Sequence, residues 1–224
     1  MPKTPLLVYG LIIGLSFACH CHGQNGTPAK DTPKASNTGP TIPPLKNVNP
    51  EVLRLVVEDQ WDRGNDMFGK GQINSPKELD WKIIGAHDNA RHQAIRDLLA
   101  AGKLKTSSDY DYASLIFQHS GDPSELMLAH LLSSTSVSMG GNGKWMMAAT
   151  LDRYLQSTKQ PQIFGPQFIT NDGHTWTMEP YNRTTVTDSE RALWCVVTLA
   201  QQEKILDNMQ KGNSGASTGI EGCK

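Results

Sequence analysis

No part of this chain is apolar for long enough to cross a bilayer. Its most apolar stretch, Leu6 to Ala18, falls far short of the roughly 20 residues that a spanning helix requires. Charge of one sign is missing too: 21 lysines and arginines against 22 aspartates and glutamates leave a formal net charge of −1. The basic residues are scattered, which argues against nucleic acid and against an anionic membrane surface as partners. Cysteine is scarce, four in 224 residues, and none falls in zinc-finger spacing. A Gly-x-Ser-x-Gly elbow is absent, so nucleophilic hydrolysis has no support. His87 and His92 do not reproduce the His-Glu-x-x-His arrangement and are expected on a solvated face. His119 and His130 could combine with Asp88 or Asp152 only across long separations, so neither a metal nor another cofactor is expected. Gly140-Gly141-Asn142-Gly143-Lys144 resembles the end of a phosphate-binding loop, but Trp145 stands where serine or threonine should hold magnesium, and the segment reads as a helix connection.

What is present begins with an export signal over residues 1–23, with cleavage after Ala18 or Gly23. Ser16-Phe17-Ala18-Cys19 is an imperfect lipoprotein box, and through Cys19 a lipid anchor is the one membrane link expected. The protein is therefore expected outside the cytoplasm: secreted, periplasmic or lipid-anchored. Residues 24–50, rich in Pro, Thr, Asn, Gly and Ser, read as a disordered tether; 51–210 as one helical domain; 211–224 as a disordered tail. Cys195 lies in an apolar helical run and is expected as a free buried thiol, although an oxidising compartment permits a bridge to Cys223.

The periodicity predicts a mainly α fold, an irregular helical bundle or helix-pair stack of about six helices with one β-hairpin. The first helix runs from Glu51 to about Met67, with Leu53, Val57, Gln60 and Trp61 on one face and Val52, Leu55, Val56 and Asp59 beside it. A second spans about Asp80 to Ala101 and stops at Gly102; a third starts at Ser107 or Ser108 and carries Tyr112, Leu115, Ile116 and His119. Asp122-Pro123 starts a fourth, with Leu128, Leu131, Leu132 and Thr135 inward. The fifth covers Lys144 to about Thr158, with Met147, Leu151, Tyr154 and Leu155 inward. A hairpin turned by Asn171-Asp172-Gly173 follows, its return strand alternating His174, Trp176 and Met178 with threonines. Thr187 and Glu190 form a capping box for a sixth helix reaching about Gln210.

Polar residues interrupt faces that should be apolar. Asp88 and Arg91 sit in the stripe Trp81, Ile84, Ile95, Leu98, and such a pair is costly to bury unless matched. His119 continues an apolar stripe with Gln118 beside it, and Asp152 follows Ala148 and Ala149. Gln162 and Gln167 flank Gly165 among aromatics, in a segment whose Pro166 suits an edge or bulge. One arrangement would make these a cleft: Asp88 or Asp152 orients His119 for proton transfer, while Arg91, Gln118, Arg153, Gln162 and Gln167 bind ligand. Another would make them buried pairs and caps that fix how the helices meet.

Gln118-His119, Asp152-Arg153 and Pro161-Gln162-Ile163-Phe164-Gly165-Pro166-Gln167, in this order, resemble the signature of a bacterial family classed as a domain of unknown function. Asp88, Arg91 and Thr187-Asp188-Ser189-Glu190-Arg191 resemble it as well, whereas Pro166 departs from the threonine that members carry. The resemblance covers about Val52 to Gln202 and implies that these positions belong together, without implying an activity. The leading expectation is an exported domain that binds a small polar ligand or a cell-envelope partner without turnover. The alternative is an enzyme with His119 as general acid or base, acting on a small polar or anionic substrate.

Overall fold

Asn49 and Pro50 set the first helix. The Asn49 side chain accepts from the Glu51 amide at 2.9 Å, Pro50 fills a first-turn position that needs no donor, and α1 runs Pro50–Asp62. The structure is a computed structural model that describes residues 40, 42–69, 71–72, 79–170, 175–213 and 217–223. The export signal, most of the tether, and the Asn171-Asp172-Gly173 turn with His174 lie outside the described residues.

The chain is mainly helical, with seven helices among the described residues. Gly64, at φ +73°, turns the backbone soon after α1, so the helix ends before Met67 and a small antiparallel pair follows, β1 (Asn65–Asp66) with β2 (Gly71–Gln72). Asp80 caps α2 (Trp81–Ala100) by accepting from the Lys82 and Ile83 amides. A Thr106/Asp109 capping box starts α3 (Ser107–Phe117), and Asp122 caps α4 (Pro123–Ser138). After α5 (Lys144–Ser157) come β3 (Ile169–Thr170) and β4 (Trp176–Thr177), paired antiparallel. The Thr187/Glu190 capping box opens α6 (Asp188–Leu193), and a second box, Thr198/Gln201, opens α7 (Leu199–Gln210).

The expected sixth helix is thus two. Cys195 takes a left-handed φ of +59° between them, and its sulfur is bonded to Cys223, Cα to Cα 5.6 Å, so the thiol is not free. The bridge also draws in part of the expected tail: Trp145 Nε1 donates to Thr218 Oγ1 at 3.1 Å, and Val196 pairs with Gly219. At the other end, Thr106 Oγ1 donates to the Asn47 carbonyl at 2.9 Å and Val48 packs on the core. Residues on either side of the helices, Asn47 and Val48 before them and Thr218, Gly219 and Cys223 after them, thus contact the helical body.

The core gathers Val52, Leu55, Val56, Ile95, Leu115, Ile116 and Phe117 from α1, α2 and α3 with Ala129 and Leu132 of α4. Two predicted stripes are rotated. Leu131 is 55% exposed, while Leu126, Ala129, Leu132, Ser133 and Ser136 are buried; on α5 the buried residues include Met146, Ala148, Ala149, Thr150, Asp152 and Arg153 rather than Met147, Leu151, Tyr154 and Leu155. The two helices meet through small side chains, Ser133 Oγ lying 3.4 Å from Thr150 Oγ1, and a count of large apolar residues misses a seam of that kind. Ala148, Phe164 and Val196 form a second cluster. Among the described residues no helix is long and apolar enough to cross a membrane.

Candidate functional site

The end of α1 carries a carboxylate into the interior. Asp59 lies on the same side as Leu55 and Val56, is fully buried, and accepts from Gln60 Nε2 at 2.9 Å and Arg63 Nη1 at 2.8 Å. His119, just past the end of α3, brings Nδ1 to 3.1 Å from the same carboxylate. Arg63 also reaches Asp88 of α2 with both terminal nitrogens, at 3.1 and 2.7 Å. Arg91, one turn on, donates to Asp88 at 2.6 Å and Asp62 at 2.7 Å, and its Nε lies 3.7 Å from Asp59. The acid and base that interrupt the α2 stripe are therefore matched, as burial demands.

Burial alone would raise the Asp59 carboxyl, but the charges of His119, Arg63 and Arg91 and the His119 hydrogen bond outweigh it and hold it at about 2. His119 is held below its ordinary value by burial and by the Arg63 charge, with a smaller push from Arg153, against the attraction of Asp59. Burial favours the uncharged imidazole near neutral pH, where Arg63 and Arg91 supply the positive charge beside Asp59; the His119 charge adds to theirs in acid, once the ring is protonated. An ionised carboxylate can only accept, which places the proton on Nδ1 and leaves Nε2 an acceptor.

The next residue links this cluster to the glutamine-bearing segment. Arg153 Nη1 of α5 donates to the Gln118 carbonyl at 2.6 Å, and its Nε lies 3.4 Å from Gln167 Oε1. Gln167 Nε2 donates to the Ala149 carbonyl at 2.9 Å. Gln162 accepts from the Gln167 amide at 3.1 Å and donates back to the Gln167 carbonyl at 2.9 Å and to that of Met178. Asp152 accepts from three successive amides, Ile163 at 2.8, Phe164 at 2.9 and Gly165 at 2.8 Å. Burial pushes the Asp152 carboxyl up to about 6 against those amide bonds and the Arg191 charge. Gly165 sits at φ +88°, and a Cβ there would lie 2.4 Å from Gln202 Oε1 and from the Tyr181 hydroxyl. Pro166 costs no bond, because the segment is held by the amides on either side of it, Gly165 and Gln167.

Asp88, Arg91, Gln118, His119, Asp152, Arg153, Gln162 and Gln167 thus form one continuous polar seam, but several expected roles change. The carboxylate that orients His119 is Asp59, not Asp88 or Asp152, since Asp88 is held by two guanidiniums and Asp152 by backbone amides. Arg91 is spent on carboxylates rather than left for an anion. Gln162 and Gln167 are turned onto backbone and hold the segment together. His92 is buried against Phe117, ring centroids 4.8 Å apart, not solvated; only His87 is exposed as expected, beside Asp62 at 2.9 Å.

Asp59, Asp62 and Arg63 were not among the candidates. Their signal was an aspartate three and four residues after Val56 and Leu55, with arginine four residues further on. The Gln118 carboxamide is fully buried, and neither its oxygen nor its nitrogen has a hydrogen-bond partner. Among the described residues no three His, Cys, Asp or Glu side chains stand together as a metal site would need. In the comparisons with known proteins no family model, no curated protein and no solved structure matches this chain.

Proposed function

We propose that the chain is an extracytoplasmic domain that binds a small polar ligand at the junction of α1, α2, α3 and α5, without turnover. The observation that carries this reading is the hydrogen-bonding capacity left unused there: a network built only to pin helices would leave no fully buried Gln118 carboxamide unpartnered. Arg63 and Arg91 are matched by carboxylates, and Arg153 is held on the Gln118 carbonyl and Gln167 Oε1, so the site offers hydrogen bonds more than net charge. The Cys195–Cys223 bridge favours an oxidising compartment and so supports export. The family resemblance, which implies that these positions belong together, is consistent with this reading.

A second reading is favoured by one pair. Asp59 and His119 form an oriented acid–base couple whose Nε2 is an acceptor when the ring is uncharged, the arrangement a general base needs. In that case Asp59 positions His119, and Asp88 and Asp152 stay in the scaffold.

A thermal-shift screen against neutral and charged metabolites tests both, run on the wild-type protein and on His119→Gln. The binding reading expects a saturable rise in melting temperature and a ligand recovered unchanged. Recovery of a converted product, lost in His119→Gln, would replace it with the enzyme reading. No stabilising compound, with an envelope protein captured instead, would overturn both.

A further inference from the structure

Resting on the binding reading above, we propose that the ligand is uncharged and carries an amide-like edge, a hydrogen-bond donor beside an acceptor, read by Gln118. Gln118 is 0% exposed, and both Oε1 and Nε2 of its carboxamide lack partners. A carboxamide presents an acceptor and donors side by side, and the group that satisfies both in one plane is another amide edge: a cis-lactam, a primary amide or a ureido group. Its backbone is fixed by Arg153 at 2.6 Å, so the side chain springs from a rigid point. A second carboxamide nitrogen on α5 is also unpartnered. Gln156 lies three residues after Arg153 on α5, on the same helix face, and its Nε2 is also buried without a partner.

Charge argues in the same direction. Asp59, Asp62 and Asp88 are met by Arg63 and Arg91, and burial, with the Arg63 and Arg153 charges, favours the uncharged form of His119 against the attraction of Asp59. An anion would have to draw Arg63 or Arg91 from a buried carboxylate, leaving that carboxylate uncompensated, or draw Arg153 from the Gln118 carbonyl and Gln167 Oε1 that it holds, and a cation would meet the arginines. An uncharged ligand disturbs neither.

The test uses isotope-labelled protein titrated with 2-pyrrolidinone, a cis-lactam, and in parallel with acetate and inorganic phosphate. Expected are saturable shifts of the Gln118 and Gln156 side-chain carboxamide signals with the lactam only, accompanied by a rise in melting temperature of about 2–4 °C. Gln118→Leu should remove the lactam response while the free protein melts no lower than wild type, because an unsatisfied buried amide has been replaced by an apolar group. Gln118→Leu that melts several degrees lower, with no lactam shift in wild type, would mean that the carboxamide holds internal water as part of the scaffold, and would overturn the proposal. Acetate or phosphate that shifts His119 but not Gln118 would overturn the amide class while leaving the binding reading standing; silence from all three probes together with a fruitless metabolite screen would end both.

Discussion

Arg153 and Gln118, 35 residues apart, are joined by a hydrogen bond of 2.6 Å from guanidinium to main-chain carbonyl. That bond couples the end of α3, where His119 meets Asp59, to the helix whose preceding residue, Asp152, gathers the amides of the 163–165 turn. Perturbations on either side can therefore be separated by what they do to unfolding and to the imidazole.

Asp59→Asn should be severe. It leaves Arg63 and Arg91 with one fewer buried counter-charge, and breaking such a pair costs about 3–5 kcal/mol. In the wild type the Asp59 carboxyl is held at about 2 in the fold, below its unfolded value. Its contribution is thus fully present above about pH 4 and is lost as pH falls through about 2, worth roughly 2 kcal/mol. Urea unfolding across pH 2–7 reads both effects, and a histidine titration should show His119 falling further once the Asp59 charge is gone.

Asp111 should act with the opposite sign. Burial pushes its carboxyl up to about 6, and its Oδ1 has no partner. Folding then favours the protonated form, so stability falls as pH rises from about 4 to 6 and stays reduced above. Asp111→Asn should remove that slope and add about 2 kcal/mol at pH 8. Equal pH profiles for the two proteins would show that the carboxyl ionises freely in the fold.

Asp152→Asn retains the size of the side chain but turns one acceptor into a donor facing an amide N–H. A loss of about 2–4 kcal/mol is expected, with faster hydrogen exchange at the amides of Ile163, Phe164 and Gly165. Unchanged exchange there would remove the anchoring role.

Gly165→Ala meets two obstacles, the positive φ and a Cβ 2.4 Å from Gln202 Oε1 and the Tyr181 hydroxyl. The conformation alone costs about 1 kcal/mol or more, and displacement of the two side chains should raise the total above about 2 kcal/mol. Near-wild-type denaturant midpoints would mean that both move aside freely.

Reduction of Cys195–Cys223, or Cys195→Ser, opens a loop with a sequence separation of 28. The chain-entropy estimate for that length is about 3–4 kcal/mol. A melting curve unmoved by reductant would show that the contacts of residues 217–223 hold without the bridge.

Much of the fold was legible because local chemistry decided it. Asp80, Asp122 and the Thr187/Glu190 box start their helices where the caps stand, and Gly102 turns the chain just past the end of α2, at φ +60°. The break near Cys195 was not legible, because it follows from a bond to a residue 28 positions away. Nor was the inward face of α5, where alanine, threonine, aspartate and arginine face the interior and larger apolar residues lie half-buried. For the seam, misplaced polarity on α2 and α3 pointed to the right region, and the same irregularity on α1 went unused at Asp59. Partners could not be read at all: whether Asp88 or Asp59 meets His119 depends on how α1 and α2 sit against the end of α3, which no local pattern encodes.

One peptide oxygen ties the carboxyl-terminal third together. The Phe164 carbonyl accepts from the Tyr181 hydroxyl, Arg191 Nε and Gln202 Nε2 at 3.1, 3.2 and 2.7 Å. A phenol, a guanidinium and a carboxamide from separate segments thus share a single fixed reference point that no side-chain replacement can supply or remove. Chains that keep this turn should exchange those three residues in concert or not at all, which makes their joint occurrence a sharper mark of kinship than any of the short motifs alone.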